Sequence, residues 1–202
     1  MEILESIRAA VPPTAARPTT PAASLDTIDG WAAGATAMQA RLLVLPQAFL
    51  TDGIGGVDRA GQGALLSDGP ELVALASIAR RHGVAIACGY VEQCSGRFHD
   101  SALFVDHRGC ALANYRRTHF VPDREPDLLA EGHWLTVVPF AGRKLGLLIG
   151  PDIEVPEPAR ALALAGADSL LVLAAHGPDA AIVGEVVLPA RAYENGCAIV
   201  YA

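Results

Sequence analysis

The residues from Lys144 to Glu157, KLGLLIGPDIEVPE, combine an apolar strand, a sharp turn and the start of a helix. The apolar run ends at Gly150-Pro151, and Pro156 then opens an Ala-rich segment with an acidic residue beside the positive end of its dipole. α/β enzymes hold a nucleophile at such an elbow, because the turn projects one side chain and bares backbone N–H groups beside it. Here Gly150 offers no nucleophile and Pro151 has no N–H to donate. The sequence therefore predicts the geometry of a nucleophile elbow without its chemistry.

Other reactive side chains do not replace the missing nucleophile in the sequence pattern. Cys88, Cys94 and Cys197 lie in apolar or loop contexts with no neighbouring base, and we interpret them as small buried thiols. His119 follows the turn in NYRRTHF and His176 follows the apolar strand at 171–173, and each position is compatible with the edge of a pocket or with a structural role. The cysteine spacing has no C-x-x-C pair and no companion histidine pair, so we expect no metal and no cofactor.

The apolar periodicity and the turn residues predict strands and helices that mix hairpins with crossover connections. Pro189 falls inside the last predicted helix and should kink it. The predicted strands are residues 7–11, 41–46, 84–89, 98–105, 110–115, 135–139, 144–149, 169–173 and 198–201, and the predicted helices are residues 22–38, 70–82, 156–165 and 180–195. Mixed sheets with helices outside them follow from this order.

Composition limits the class of protein. The chain has 202 residues, of which 51% are hydrophobic and 18% charged, and we expect one globular domain over residues 1–202 with an irregular segment at 1–21. A net charge of −7 argues against nucleic acid or an anionic membrane as a partner. No apolar run of about 18 residues and no signal pattern is present, so we expect a cytoplasmic protein.

Several segments together resemble the nitrilase, or carbon–nitrogen hydrolase, superfamily, in order and in spacing. The resemblance implies an α/β fold of the nitrilase type, an α-β-β-α sandwich of two mixed sheets with outer helices, here shortened at the C-terminus. It also implies dimerisation through helices near the elbow. The matching segments are LLVLPQAFLT (42–51), GYVEQ (89–93), GRFHDSALFVDHRG (96–109), NYRRTHF (114–120), KLGLLIGPDIEVPE (144–157) and ARAYEN (190–195).

The resemblance also implies where a Glu–Lys–Cys triad would fall. The position of the general base falls on Gln47, that of the lysine on Arg117 and that of the nucleophile on Gly150, while Pro151 follows the nucleophile. A further family glutamate is retained as Glu125. Gln47 cannot accept a thiol proton near neutral pH. Arg117 keeps the positive charge of the lysine, but its guanidinium group extends a different distance from the backbone than an ammonium group does. No catalytic triad is therefore intact, and the loss of the nucleophile alone would cost on the order of 10⁶ in rate.

Four functions remain open from the sequence. The leading hypothesis is a catalytically inactive subunit, paired with itself or with an active carbon–nitrogen hydrolase, for which the helix at 158–165 is a candidate interface. A second is a binding protein that holds an amide or carboxylate near Gln47, Arg117, Glu125, Gly150 and Pro151. A third is an enzyme of altered mechanism that uses Glu125 as acid and base. The fourth is a truncated gene product in decay.

Overall fold

The computed structural model of the chain describes residues 7–12, 18–51, 53, 63–120, 129–177 and 181–202. Within these residues, nine strands form two sheets and four α-helices flank them. Glu125 lies outside the described residues. Every strand predicted from the sequence is present, although several differ in length.

The first sheet has the order β1-β2-β3-β4-β5 and mixes parallel with antiparallel pairs. Strands β1 to β3 run parallel to one another, and β3, β4 and β5 form antiparallel hairpins. The two helices before β3 provide the crossovers that parallel strands require. The bounds are Ala9–Ala10 for β1, Leu42–Val44 for β2, Ala85–Cys94 for β3, Arg97–Val105 for β4 and Ala111–Arg116 for β5; the helices are α1 at Pro21–Ala37 and α2 at Pro70–His82.

The second sheet has the order β6-β7-β8-β9. An antiparallel hairpin joins β6 to β7, and β7, β8 and β9 are parallel with helical connections between them. The bounds are Val137–Phe140 for β6, Arg143–Ile149 for β7, Ser169–Leu173 for β8 and Ala198–Tyr201 for β9; the helices are α3 at Pro156–Leu164 and α4 at Leu188–Asn195.

Three apolar clusters show that the two sheets stack face to face between helical layers. One cluster joins α1 and α2 to the outer face of the first sheet, around Leu75 and Ile86. A second fills the space between the sheets, around Phe104 and Leu147. A third joins the second sheet to α3 and the segment before α4, around Leu170. The arrangement is the α-β-β-α sandwich that the resemblance implies.

Two elements differ from the sequence prediction. β3 continues to Cys94 and returns into β4 through Ser95-Gly96, where both residues have positive φ, as two-residue hairpins require. The last predicted helix contains a π-helical segment, Val183–Val187, directly before the α-helical residues that hold Pro189. A wider π turn gives room to a proline ring that would collide with the carbonyl four residues earlier.

The elbow after β7 is held by the buried carboxylate of Asp152. Its Oδ2 accepts hydrogen bonds from the N–H of Ile149 at 3.0 Å and from the hydroxyl of Tyr115 at 2.8 Å. Its Oδ1 accepts from the backbone N–H groups of Thr118, at 3.2 Å, and His119, at 2.9 Å. One side chain therefore fixes the turn after β7 against the loop that follows β5.

The C-terminal side of the elbow is fixed from α4. The guanidinium of Arg191 donates to the carbonyl oxygens of Ile153 and Glu154, at 3.2 and 2.9 Å. It also pairs with Glu194 one turn later on the same helix. These contacts hold the residues after the elbow against α4.

Candidate functional site

Gly150 is the first residue of a short 3₁₀ turn, Gly150–Ile153, that connects β7 to the residues before α3. Its φ is +44°, a region that residues with a Cβ rarely adopt. An ideal Cβ built on Gly150 would lie 2.6 Å from Oε1 of Gln47, well inside van der Waals contact. The elbow therefore has the predicted geometry, and the space that its side chain would need is occupied by an amide oxygen.

Gln47 follows β2 and lies where the ends of the two sheets meet. Its backbone N–H donates to the carbonyl oxygen of Ala174, just after β8, at 3.4 Å. The chain around it passes directly over Gly89 of β3, where an added Cβ would lie 2.5 Å from the carbonyl oxygen of Pro46 and from the backbone nitrogen of Ala48. The glycine in the GYVEQ segment is thus required by this close approach, and it brings Gln47 to the elbow.

A buried polar cluster formed by Gln47, Asp100 and Arg117 lies beside the elbow. The amide Nε2 of Gln47 donates to Oδ2 of Asp100 at 2.5 Å, and Nε of Arg117 lies 3.0 Å from the same oxygen. The guanidinium also lies over the ring of Phe120, 4.1 Å from its centroid, as in a cation–π contact. All three members of the cluster are at least 97% buried.

The structure places Gln47 against Gly150 and links it through Asp100 to Arg117. Pro151 lies next to Gly150 in the turn, where its carbonyl accepts the N–H of Glu154 and its ring nitrogen has no hydrogen to donate. Glu125 lies outside the described residues. Asp100 was not predicted, although a carboxylate within the apolar strand FHDSALFV must find a cation or a donor when that strand is buried.

The neighbouring arginines of NYRRTHF serve two different sites. Arg116 faces the side of the sheet opposite to the polar cluster and forms a bidentate pair with buried Glu92. Burial opposes the charge of Glu92, but the hydrogen bonds from Arg116, Ser101 and Asn114 outweigh it and lower the pKa of that carboxyl. This second polar network was not predicted, and it is structural in its contacts because each acceptor is satisfied within the sheet.

The other candidate side chains have structural partners. The carboxylate of Asp152, 3.5 Å from Nδ1 of His119, raises the pKa of that imidazole. His176 bridges Glu154 and Tyr201, with ring nitrogens 3.2 Å from the carboxylate and 2.6 Å from the phenol. Each histidine is therefore engaged by a neighbour outside the polar cluster.

Two buried thiols are not activated. Burial raises the pKa of Cys88 and of Cys197, which disfavours the nucleophilic thiolate. Cys94 lies at the end of β3, and its sulfur is 3.8 Å from the hydroxyl of Ser95. In the described part of the chain, no group of three or more His, Cys, Asp or Glu residues is arranged to hold a metal ion. Over the same residues, no helix combines the length and apolar character that a membrane crossing needs.

Comparison with known proteins places this site in a family. The model of the carbon–nitrogen hydrolase family matches residues 8–202. The chain belongs to this family. A hydrolase encoded in the pqqF 5′ region of Pseudomonas protegens is 40% identical over 168 residues, and an (R)-stereoselective amidase of Pseudomonas sp. is 38% identical over 154 residues. These matches cover 82% and 76% of this chain but 59% and 55% of the relatives, so the chain spans little more than half their length.

Solved structures of an amidase from Nesterenkonia sp. AN1 share the fold. One of them, a double mutant with glutamine for a glutamate and alanine for a cysteine, is in complex with acrylamide. It has a TM-score of 0.87 and 31% identity, and the match covers 97% of this chain and 75% of that chain. The nitrilase-type sandwich and membership of the superfamily, both suggested by the sequence segments, are thus confirmed.

We predict that Gly150→Ala lowers the free energy of unfolding by about 2–4 kcal/mol, because the methyl group adds backbone strain at positive φ and collides with Gln47. Urea unfolding monitored by circular dichroism measures the change. Gly34→Ala is the matched control: an ideal Cβ there meets no atom within 4 Å, so the better helix former should raise stability, by up to about 1 kcal/mol. Equal effects of the two substitutions would contradict the assignment of a closed elbow.

Proposed function

We propose that this carbon–nitrogen hydrolase family member is catalytically inactive and acts as a non-catalytic subunit. The observation that carries the proposal is the closed elbow: the nucleophile position is Gly150, and Oε1 of Gln47 fills the space where a nucleophilic side chain would begin. Without a nucleophile no acyl intermediate can form, and an amide in place of the general base cannot take a proton.

Two further features support inactivity. Pro151 cannot supply a backbone N–H to an oxyanion, and one missing donor costs about 10²–10³ in rate. The buried thiols of Cys88 and Cys197 are disfavoured as thiolates. This chain therefore shares its scaffold with relatives named as amidases and with the Nesterenkonia enzyme, which has an active-site cysteine. Its own elbow carries glycine, which has no reactive side chain.

We predict no hydrolysis by the purified chain across a panel of amides and nitriles, assayed by ammonia release. The rate should be on the order of 10⁶-fold below that of an active relative, such as the (R)-stereoselective amidase assayed in parallel, and no ammonia should be detected above the protein-free control. Turnover that increases with protein concentration and copurifies with the chain would contradict inactivity. If such turnover were lost in Glu125→Gln, it would indicate the altered mechanism instead.

The face formed by α3, by α4 and by residues 181–187 before α4 suits a subunit contact. Large apolar side chains are exposed there, with exposed fractions of 75% for Leu164, 63% for Ile182, 57% for Val186 and 92% for Tyr193. An open groove of about 660 Å³ on this face is lined by Pro156, Glu157, Arg160, Ala161, Leu164 and Glu194. Exposed apolar side chains beside charged ones are typical of protein interfaces, and the family resemblance implies dimerisation through helices near the elbow. The proposed occupant is a second chain of the same fold.

Leu164→Glu and Tyr193→Glu should each weaken association at least tenfold, because a desolvated carboxylate would replace an apolar contact. Native mass spectrometry of protein from its own host measures the stoichiometry and identifies whether the second chain is a copy or a relative. Val73→Glu on α2 is the control, because Val73 is 59% exposed on the opposite helical layer. A chain that stays monomeric at all concentrations and copurifies with no relative would contradict the subunit role.

Binding of a small amide is a second candidate function. The Nesterenkonia double mutant holds acrylamide, and a cysteine-to-alanine mutant of the same enzyme holds butyramide, so that site binds amides without its nucleophile. In this chain, Gln47 and Gly150 stand where the resemblance places the glutamate and the cysteine of the family triad. Short amides should then raise its unfolding temperature in a saturable way, measured by thermal shift with the matching carboxylates as controls. An unchanged temperature with every amide up to millimolar concentration would argue against binding.

A further inference from the structure

We propose that Asp100 is the positioning residue of this site: it supplies the carboxylate of the buried cluster and fixes which atom of Gln47 faces the elbow. The proposal deepens the proposed function, because it identifies what keeps the elbow closed. The proposal about Asp100 rests on the proposed function in one respect: both place residue 47 where the family has its general base.

The orientation of Gln47 follows from the chemistry of its two partners. A carboxylate only accepts hydrogen bonds, so the atom of Gln47 that lies 2.5 Å from Oδ2 of Asp100 must be the donor Nε2. The carbonyl oxygen Oε1 then points the other way, to the position 2.6 Å from an ideal Cβ on Gly150. Asp100 therefore places an acceptor oxygen, rather than an NH₂ group, against the elbow.

The charge of the cluster depends on the same carboxylate. Arg117 is buried, with Nε 3.0 Å from Oδ2 of Asp100, and Asp100 itself is 1% exposed. A second carboxylate at residue 47 would lie at hydrogen-bonding distance from the first. Two carboxylates at that distance cannot both ionise without a large cost, and the pair would hold a proton with a strongly raised pKa. The cluster thus accommodates one carboxylate and one amide.

A consequence follows for any attempt to restore the family residue at position 47. The carboxylate now comes from β4, 53 residues further along the chain. Gln47→Glu alone adds a like charge, whereas Gln47→Glu combined with Asp100→Asn exchanges the carboxylate and the amide and keeps one of each. Because the donor and acceptor remain complementary in the double variant, its stability should not be the sum of the two single effects.

The test is a double-mutant cycle followed by thermal unfolding at pH 5 and pH 8. Gln47→Glu should lower Tm by about 8 °C or more at pH 8 and by less than half of that at pH 5. In the folded variant the two carboxyl groups share a proton with a raised pKa. The loss of stability therefore grows as pH rises above the unfolded glutamate pKa of about 4.3, and it levels off above the pKa of the folded pair. Gln47→Glu/Asp100→Asn should be more stable than either single variant and lie within about 3 °C of the unmodified chain at both pH values.

Gln93→Glu is the matched control, because it makes the same chemical change at an exposed position of β3 and should shift Tm by no more than about 1–2 °C at either pH. A Gln47→Glu variant that is folded at pH 5 and unfolded at pH 8 also supports the proposal. If Gln47→Glu folds at neither pH, the double variant provides the test. Recovery of folded protein in the double variant supports the role of Asp100, and its failure to fold contradicts that role. Additive effects in the cycle, or a penalty that is equal at both pH values, would overturn it. Amide hydrolysis by the unmodified chain would overturn inactivity and leave this result unaffected.

Discussion

The hydrogen bonds of Asp152 are the constraint on which the site depends. This buried carboxylate stands two residues after Gly150 and accepts from the backbone of the elbow on one side and from the loop after β5 on the other. The second sheet contributes the elbow and the first sheet contributes Tyr115 and Arg117, so the carboxylate joins the two sheets at the site. Charge-assisted bonds of this kind are stronger than neutral ones, and a buried donor that loses its acceptor costs about 1–3 kcal/mol. The elbow is therefore held by groups that take no part in nucleophilic chemistry.

This separation explains how an elbow can persist with a glycine at its centre. The turn needs an acceptor at Asp152, a helix start at Pro156 and the contacts from Arg191 to two carbonyl oxygens. None of these requires a particular side chain at Gly150. The glycine in fact relieves the strain of a positive φ, which residues with a Cβ bear at a cost of about 1–3 kcal/mol. Glycine therefore avoids backbone strain in the turn, and Oε1 of Gln47 occupies the space that a side chain at residue 150 would need.

Local patterns in the sequence predicted the parts of the structure that local forces determine. The apolar run, the Gly-Pro break and the proline at the start of α3 are consecutive, and they predicted the elbow. The hairpin from β3 to β4 was missed in part because buried Glu92 makes the end of β3 look polar, while its partner Arg116 lies 24 residues away. Asp100 was missed for the same reason, since its contacts join three separated segments. A sequence shows that a buried charge needs a partner, but only the fold shows which one.

The two adjacent arginines are an example, because the sequence does not show that they pair with carboxylates on opposite faces of the sheet. Successive residues of an extended chain face opposite sides, so Arg116 reaches Glu92 on the outer face while Arg117 reaches Asp100 between the sheets. Each arginine is paired with a buried carboxylate, Glu92 of β3 for Arg116 and Asp100 of β4 for Arg117, and exchanging one carboxylate for an amide would alter only one of the two faces. Among the described residues, the charges in contact with Gln47 and its partner are those of Asp100 and Arg117, and residue 47 adds a neutral amide. In this chain the aspartate at residue 100 supplies the carboxylate of the cluster, and the glutamine at residue 47 supplies the amide.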